Sequence, residues 1–184
     1  MVEKTEQLPT GNVHTLSLLV ENKPAVLQRI AGMFARRGYN IESLAVGPTE
    51  RPEYSRMTVV VRLSEKPVHQ VISQLQKLIP VIEVKELSAH DKIERELVLI
   101  KIKTPEKNHA ELRAIADTYE AQIVDVSPDA LMIEATGTAA KLDALEERLS
   151  AYGIQELCRS GRIALERGFK TLAPPSIKEA SSVK

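Results

Sequence analysis

One order of hydrophobic periodicities occurs twice along this chain and leaves few folds open to it. Residues 13–20 alternate so that Leu16, Leu18 and Val20 share one face of a strand. Val26, Leu27, Ile30, Ala31 and Phe34 then follow helical spacing, with Pro24 expected in the first helical turn, where its missing N–H costs nothing. Arg36 and Arg37 suit the negative end of that helix, and Gly38 ends it. A second strand is expected over residues 40–46, followed by a turn at 48–53. Met57, Val59, Val61 and Leu63 alternate with Arg56, Thr58, Val60 and Arg62, which predicts a half-buried strand. Val68, Val71, Ile72, Leu75, Leu78 and Ile79 mark a second helix stopped by Pro80, and residues 81–87 form a last strand.

The same order returns from residue 97. Residues 97–103 read as a strand, and Leu112, Ile115, Ala116 and Tyr119 mark a helix face. Residues 122–126 and 130–135 form a hairpin across Ser127, Pro128 and Asp129. Leu142, Leu145 and Leu149 mark a further helix between an N-cap at Thr138 and a stop at Gly153, and residues 154–158 close the set. The fold class is therefore α+β, two tandem ferredoxin-like βαββαβ domains. The expected boundaries are a tail at 1–12, a first domain at 13–88, a linker at 89–96, a second domain at 97–170 and a tail at 171–184. Domains of roughly 75 residues have marginal cores and open sheet edges, so pairing into a homodimer is expected.

Bulk composition removes several function classes. Lys plus Arg equals Asp plus Glu at 25 each, without the basic excess of a nucleic-acid binder. Two Phe, four Tyr and no Trp leave few platforms for stacking bases. Cys158 stands alone, which precludes an internal disulfide and predicts a buried, inert thiol. His14, His69, His90 and His109 have no ligand-like spacing, so no metal site is expected. Residues 1–12 are polar and no apolar run reaches membrane-spanning length, which predicts no signal peptide, no membrane and a cytoplasmic protein.

No catalytic constellation is legible: there is no Ser-His-Asp set, Cys-His pair or close carboxylate pair. The stretch from Gly137 to Lys141 lacks the ending of a phosphate loop and reads as a helix cap. Glu94-Arg95-Glu96 and Glu146-Glu147 read as solvated charge, and Arg159 to Arg162 as a basic turn or a contact for an acidic partner. The strongest binding feature is the turn Asn22-Lys23-Pro24-Ala25 into the first helix, whose leading amides can seat a carboxylate. Asn40 and Ile41 follow the same helix at its far end, so they could join that turn around one ligand only across two subunits.

The run LSLLVENKPAVLQRIAGMFARRGYNIESLAVGPTERPEYSRMTVVV resembles the ACT domain of the regulatory small subunit of acetohydroxyacid synthase, also called acetolactate synthase. IERELVLIKI, QIVDVSP, GTAAKLDAL and RSGRIALERG are similar to that family's C-terminal domain, so the likeness spans about Val13 to Gly168. The resemblance implies a subunit with no catalytic residue and no cofactor of its own. Its implied partner is a catalytic subunit carrying thiamine diphosphate, FAD and Mg²⁺. The implied role is to activate that subunit and to confer feedback inhibition by valine, or by leucine or isoleucine, bound at an ACT dimer interface. By that resemblance the ligand site comprises Asn22, Pro24, Ala25 and Val26, with Asn40 and Ile41 from the opposite subunit. Ala25 stands where the family pattern has Gly, and a weakened response to valine is expected from it. The alternatives are a free-standing amino-acid-binding ACT regulator of another enzyme, a transcriptional regulator and an acylphosphatase-like hydrolase. The transcriptional regulator requires a DNA-binding helix pair and the hydrolase a catalytic Arg with a Gly-rich loop, and the chain offers neither.

Overall fold

The computed structural model describes residues 12–63 and 68–174. In chain order the elements of the first βαββαβ set are β1 (Asn12–Glu21), α1 (Val26–Arg36), β2 (Ile41–Pro48), β3 (Tyr54–Leu63), α2 (Val68–Leu75) and β4 (Val81–Leu87). The second set is β5 (Lys92–Lys103), a 3₁₀ turn (Glu106–Asn108), α3 (His109–Thr118), β6 (Gln122–Ser127), β7 (Ala130–Gly137), α4 (Ala139–Ser150) and β8 (Ile154–Arg159). A short β9 (Ile163–Glu166) follows. The sheets have the orders β2-β3-β1-β4 and β6-β7-β5-β8, with β9 pairing β5. Both are the antiparallel split-βαβ arrangement that the repeated periodicity predicts.

The alternation along β1 becomes packing directly. Leu16 lies opposite Val59 and Leu18 opposite Met57, and all four are buried against Ile30, Met33 and Phe34 of α1 and Val71 and Leu75 of α2. Each fully buried aliphatic side chain contributes about 1.5–3 kcal/mol relative to exposure. In the second βαββαβ set Val98, Ile100 and Ile102 do the same against Leu112, Ile115, Leu142, Leu145 and Leu149. Helix α1 ends as Gly38 requires. With φ 66° at Gly38, the Gly38 and Tyr39 amides donate to the carbonyls of Ala35 and Phe34 at 3.1 Å each. This double bond pattern closes a helix when the residue after the cap is left-handed. Tyr39 then packs edge to face on Phe34, ring centroids 6.1 Å apart. Thr138 caps α4 by accepting from the Lys141 amide, as its position before an apolar helix predicts.

Several expectations are corrected. Pro24 precedes the N-cap instead of lying within the first helical turn, because Ala25 is the N-cap. Helix α2 stops at Leu75, and Ile79 is exposed in the turn that follows. The expected linker at 89–96 is mostly strand, since β5 begins at Lys92. Cys158 is exposed, because its neighbour Leu157 takes the inward position on β8. Glu96 is buried, not solvated, and Arg159 is committed within its own domain, to Asp143 at 2.7 Å, Glu146 at 3.0 Å and Glu96 at 3.7 Å. Burial works to lower the Arg159 pKa, but the surrounding carboxylates outweigh it and raise the value.

The largest correction concerns β3 and the C-terminus. Strand β3 is buried on both faces, including Thr58 and Val60 on the side away from the helices. The chain divides into two compact units, one running to Ile93 and resuming at Ala164, the other Glu94–Ile163. The expected second domain of 97–170 therefore loses its end to the first unit. Within that first unit the Ala164 amide donates to Thr58 Oγ1 at 3.2 Å, Arg56 Nη2 donates to the Leu172 carbonyl at 3.2 Å, and Lys85 pairs with Glu166. Ala164 and Leu172 are buried. Thr171 and Leu172, expected in a tail, are instead part of a strap on the outer sheet face. Asn12, expected in the first tail, opens β1, and residues 1–11 and 175–184 of the two expected tails lie outside the described residues.

Candidate functional site

The turn from β1 into α1 is built by two constraints. The first is the loop between β2 and β3, which holds Asn22 from below: its backbone amide donates to the Glu53 carbonyl at 2.8 Å, and its side-chain Nδ2 donates to the Pro52 carbonyl at 2.8 Å. With Nδ2 so engaged, Oδ1 is the side-chain acceptor that remains on this exposed residue, and it takes no hydrogen bond among the described residues. The second constraint is Ala25, with φ 67° and ψ 1°, left-handed backbone in a residue with a Cβ.

That geometry leaves the start of α1 open. Ala25 has no side chain with which to cap it, and no acidic residue lies in the first turn. The first backbone bond of the helix runs from the Arg29 amide to the Ala25 carbonyl at 3.1 Å, so the amides of Val26, Leu27 and Gln28 precede it. Asn22, Lys23, Pro24 and Ala25 are exposed, whereas Val26 is buried under the turn. Amide donors and the positive end of the helix dipole therefore sit beside a fixed carbonyl oxygen, an arrangement complementary to a zwitterion.

Asn40 and Ile41 are elsewhere in the same protomer. Ile41 pairs with Val61 on β3, while Glu21, the last residue of β1, pairs with Tyr54. Seven residue steps along β3 separate those positions, roughly 24 Å of extended strand. The six expected residues thus fall into two groups at opposite ends of one sheet: Asn22, Pro24, Ala25 and Val26 together, Asn40 and Ile41 apart. Asn40 is exposed and Ile41 partly buried. Pro52 and Glu53 are the contributors that sequence reasoning missed; they act through carbonyl oxygens, for which no side-chain signal exists. No cluster of three or more His, Cys, Asp or Glu side chains suited to a metal occurs among the described residues. No helix among them is long and apolar enough to cross a membrane.

These features define a two-domain α+β chain whose first domain is an ACT domain: residues 16–83 match the family described as the AHAS small subunit-like ACT domain. Residues 95–168 match the small subunit of acetolactate synthase. A probable acetolactate synthase small subunit from Archaeoglobus fulgidus is 50% identical over 85% of this chain and 98% of its own length. The acetolactate synthase small subunit of Mycolicibacterium smegmatis is 46% identical over 84% of this chain and 91% of its own. The crystal structure of the acetolactate synthase small subunit from Thermotoga maritima superposes with a TM-score of 0.80 at 34% identity, covering 86% of this chain and 99% of that one. The chain belongs to the family of acetolactate synthase small subunits.

Proposed function

We propose that this chain is the regulatory partner of an acetolactate synthase catalytic subunit, raising its activity and relaying feedback inhibition by valine or another branched-chain amino acid. The observation that carries the reading is the open start of α1, with its uncapped amides beside an Asn22 oxygen held in place by the Pro52 carbonyl. The amides receive the carboxylate and Asn22 the ammonium, while an apolar wall takes the aliphatic side chain.

The distance to Asn40 and Ile41 supports a shared site. Strand β2 is the edge of its sheet. Antiparallel pairing of β2 with the same strand of a second copy would bring the start of one strand to the finish of the other, the end at which the Asn22 turn lies. The ligand then bridges two chains, and it can shift the enzyme only by binding one arrangement of them better than another. The condensation itself, with thiamine diphosphate, FAD and Mg²⁺, belongs to the catalytic subunit.

Titration calorimetry of the full chain with valine, leucine and isoleucine, alongside sedimentation, tests the binding. The expected result is a dimer that binds one or more of them. A compact monomer, or no heat with any of the three, would overturn the shared site. The rate of the catalytic subunit with and without this chain, and then with each amino acid, tests the regulation.

A further inference from the structure

The strap from Ala164 to Leu172 borders a second feature of the first unit, a partly open cleft independent of the turn before α1. Between the strap and the outer sheet face lies a cavity of about 170 Å³, bordered by Ser17 and Arg56 of the sheet, Leu87, and Leu165, Lys170 and Leu172 of the strap. At about 30 Å³ per water it has room for roughly five or six waters, or one small organic molecule of about four or five carbons. It is far too small for a nucleotide.

Arg56 is the unusual group here. It is half-buried, and its guanidinium makes two hydrogen bonds, both to neutral oxygens: Ser17 Oγ and the Leu172 carbonyl, each at 3.2 Å. No carboxylate of the described residues pairs with it directly; burial lowers its pKa, and Glu50 and Glu83 counter that only through their fields. Two bonds leave most of its five N–H donors unspent, and a desolvated charge without a counter-ion is costly. The one carboxylate on the cavity wall, Glu166, is already taken by Lys85, with Lys170 at 3.7 Å. The wall therefore offers a positive fork and an exposed ammonium at one side and leucine side chains at the other.

We propose that this cavity binds a small aliphatic monocarboxylate, its oxygens on the Arg56 guanidinium and its hydrocarbon body against Leu87, Leu165 and Leu172. A planar fork matches a carboxylate geometrically as well as electrically. Occupancy also ties the strap to the sheet, since Arg56 holds the Leu172 carbonyl and would hold the ligand at once.

The test is a titration of the isotopically labelled full chain with 3-methylbutanoate, followed by backbone amide NMR, with 3-methylbutanamide as the uncharged isostere. Saturable shifts at Leu165, Gly168 and Thr171 with the acid, and at least about tenfold weaker response to the amide, are expected for charge-assisted recognition. Lys170→Gln, exposed and remote from the core, should raise the half-saturation concentration by about threefold, and Arg56→Lys by more because the fork is lost. Absence of saturable shifts in the strap, equal binding of acid and amide, or identical half-saturation in both variants overturns the proposal. Shifts confined to residues 22–26 would also overturn it, since they report the turn before α1. A negative result in the strap leaves the valine reading untouched, because 3-methylbutanoate lacks the ammonium that Asn22 is proposed to receive.

Discussion

The Asn22 side-chain amide and the Pro52 carbonyl meet at 2.8 Å, so the loop between β2 and β3 sets the orientation of the Asn22 side chain and of its acceptor Oδ1. Replacing Asn22 with Ala removes that bond and the acceptor together. The exposed bond contributes about 1 kcal/mol, which lowers the melting midpoint by about 2–4 °C. Valine affinity should fall by about tenfold or more, since a hydrogen bond to a charged group is lost. Calorimetry and thermal unfolding of the same variant separate the two effects.

Ala25 holds φ 67°, a conformation that glycine adopts without a steric penalty. Ala25→Gly should raise stability by about 0.5–1 kcal/mol, the relief of left-handed strain exceeding the entropy lost on folding. It should also tighten valine binding by roughly one decade, because the Cβ no longer stands beside the amides. Equal valine affinity in the natural chain and the variant would end the second expectation and leave the first standing.

The strap makes the first domain discontinuous. A chain stopped after Leu87 retains every element of the first βαββαβ set yet loses the buried Ala164 and Leu172 and the bonds to Thr58 and Arg56. It should be markedly less stable than the full chain, with increased aggregation. In the full-length background Leu172→Ala should cost about 2 kcal/mol by thermal or denaturant unfolding. An unchanged melting midpoint for Leu172→Ala would show that the strap does not support the sheet.

The second domain has a simple acid response. Hydrogen bonding to Lys101 holds the Glu156 carboxyl below its ordinary 4.5, and Lys141 does the same for Glu120. A depressed folded pKa means that the stabilisation is complete above the unfolded value and is lost as pH falls through the folded one. Both pairs are open to solvent, so added salt should weaken the effect. NMR titration should show Glu156 returning toward 4.5 in Lys101→Met, with Glu120 unmoved.

Most of the secondary structure was legible because each strand and helix carries its own period. Leu16, Leu18 and Val20 announce a strand by alternation, and all are buried. Gly38 announces a helix end, and the closing bonds to Ala35 and Phe34 are present. The local pattern misleads where a neighbour distant in sequence overrides it. The polar positions of β3 suggested a solvent face, but the strap buries Thr58 by supplying the Ala164 amide as its partner. Cys158 is exposed for the converse reason: a small apolar residue carries no sign of which face of a strand it occupies.

By itself the sequence determined the two βαββαβ sets, their helix ends and the identity of the residues at the turn before α1, since these follow from spacing and from properties of single side chains. Only the tertiary structure decided that Ala25 is left-handed, that Pro52 orients Asn22, and that residues beyond Ala164 return to the first sheet. Those outcomes depend on backbone torsions and on carbonyl and amide groups, which every residue possesses and which therefore leave no mark in a pattern of side chains.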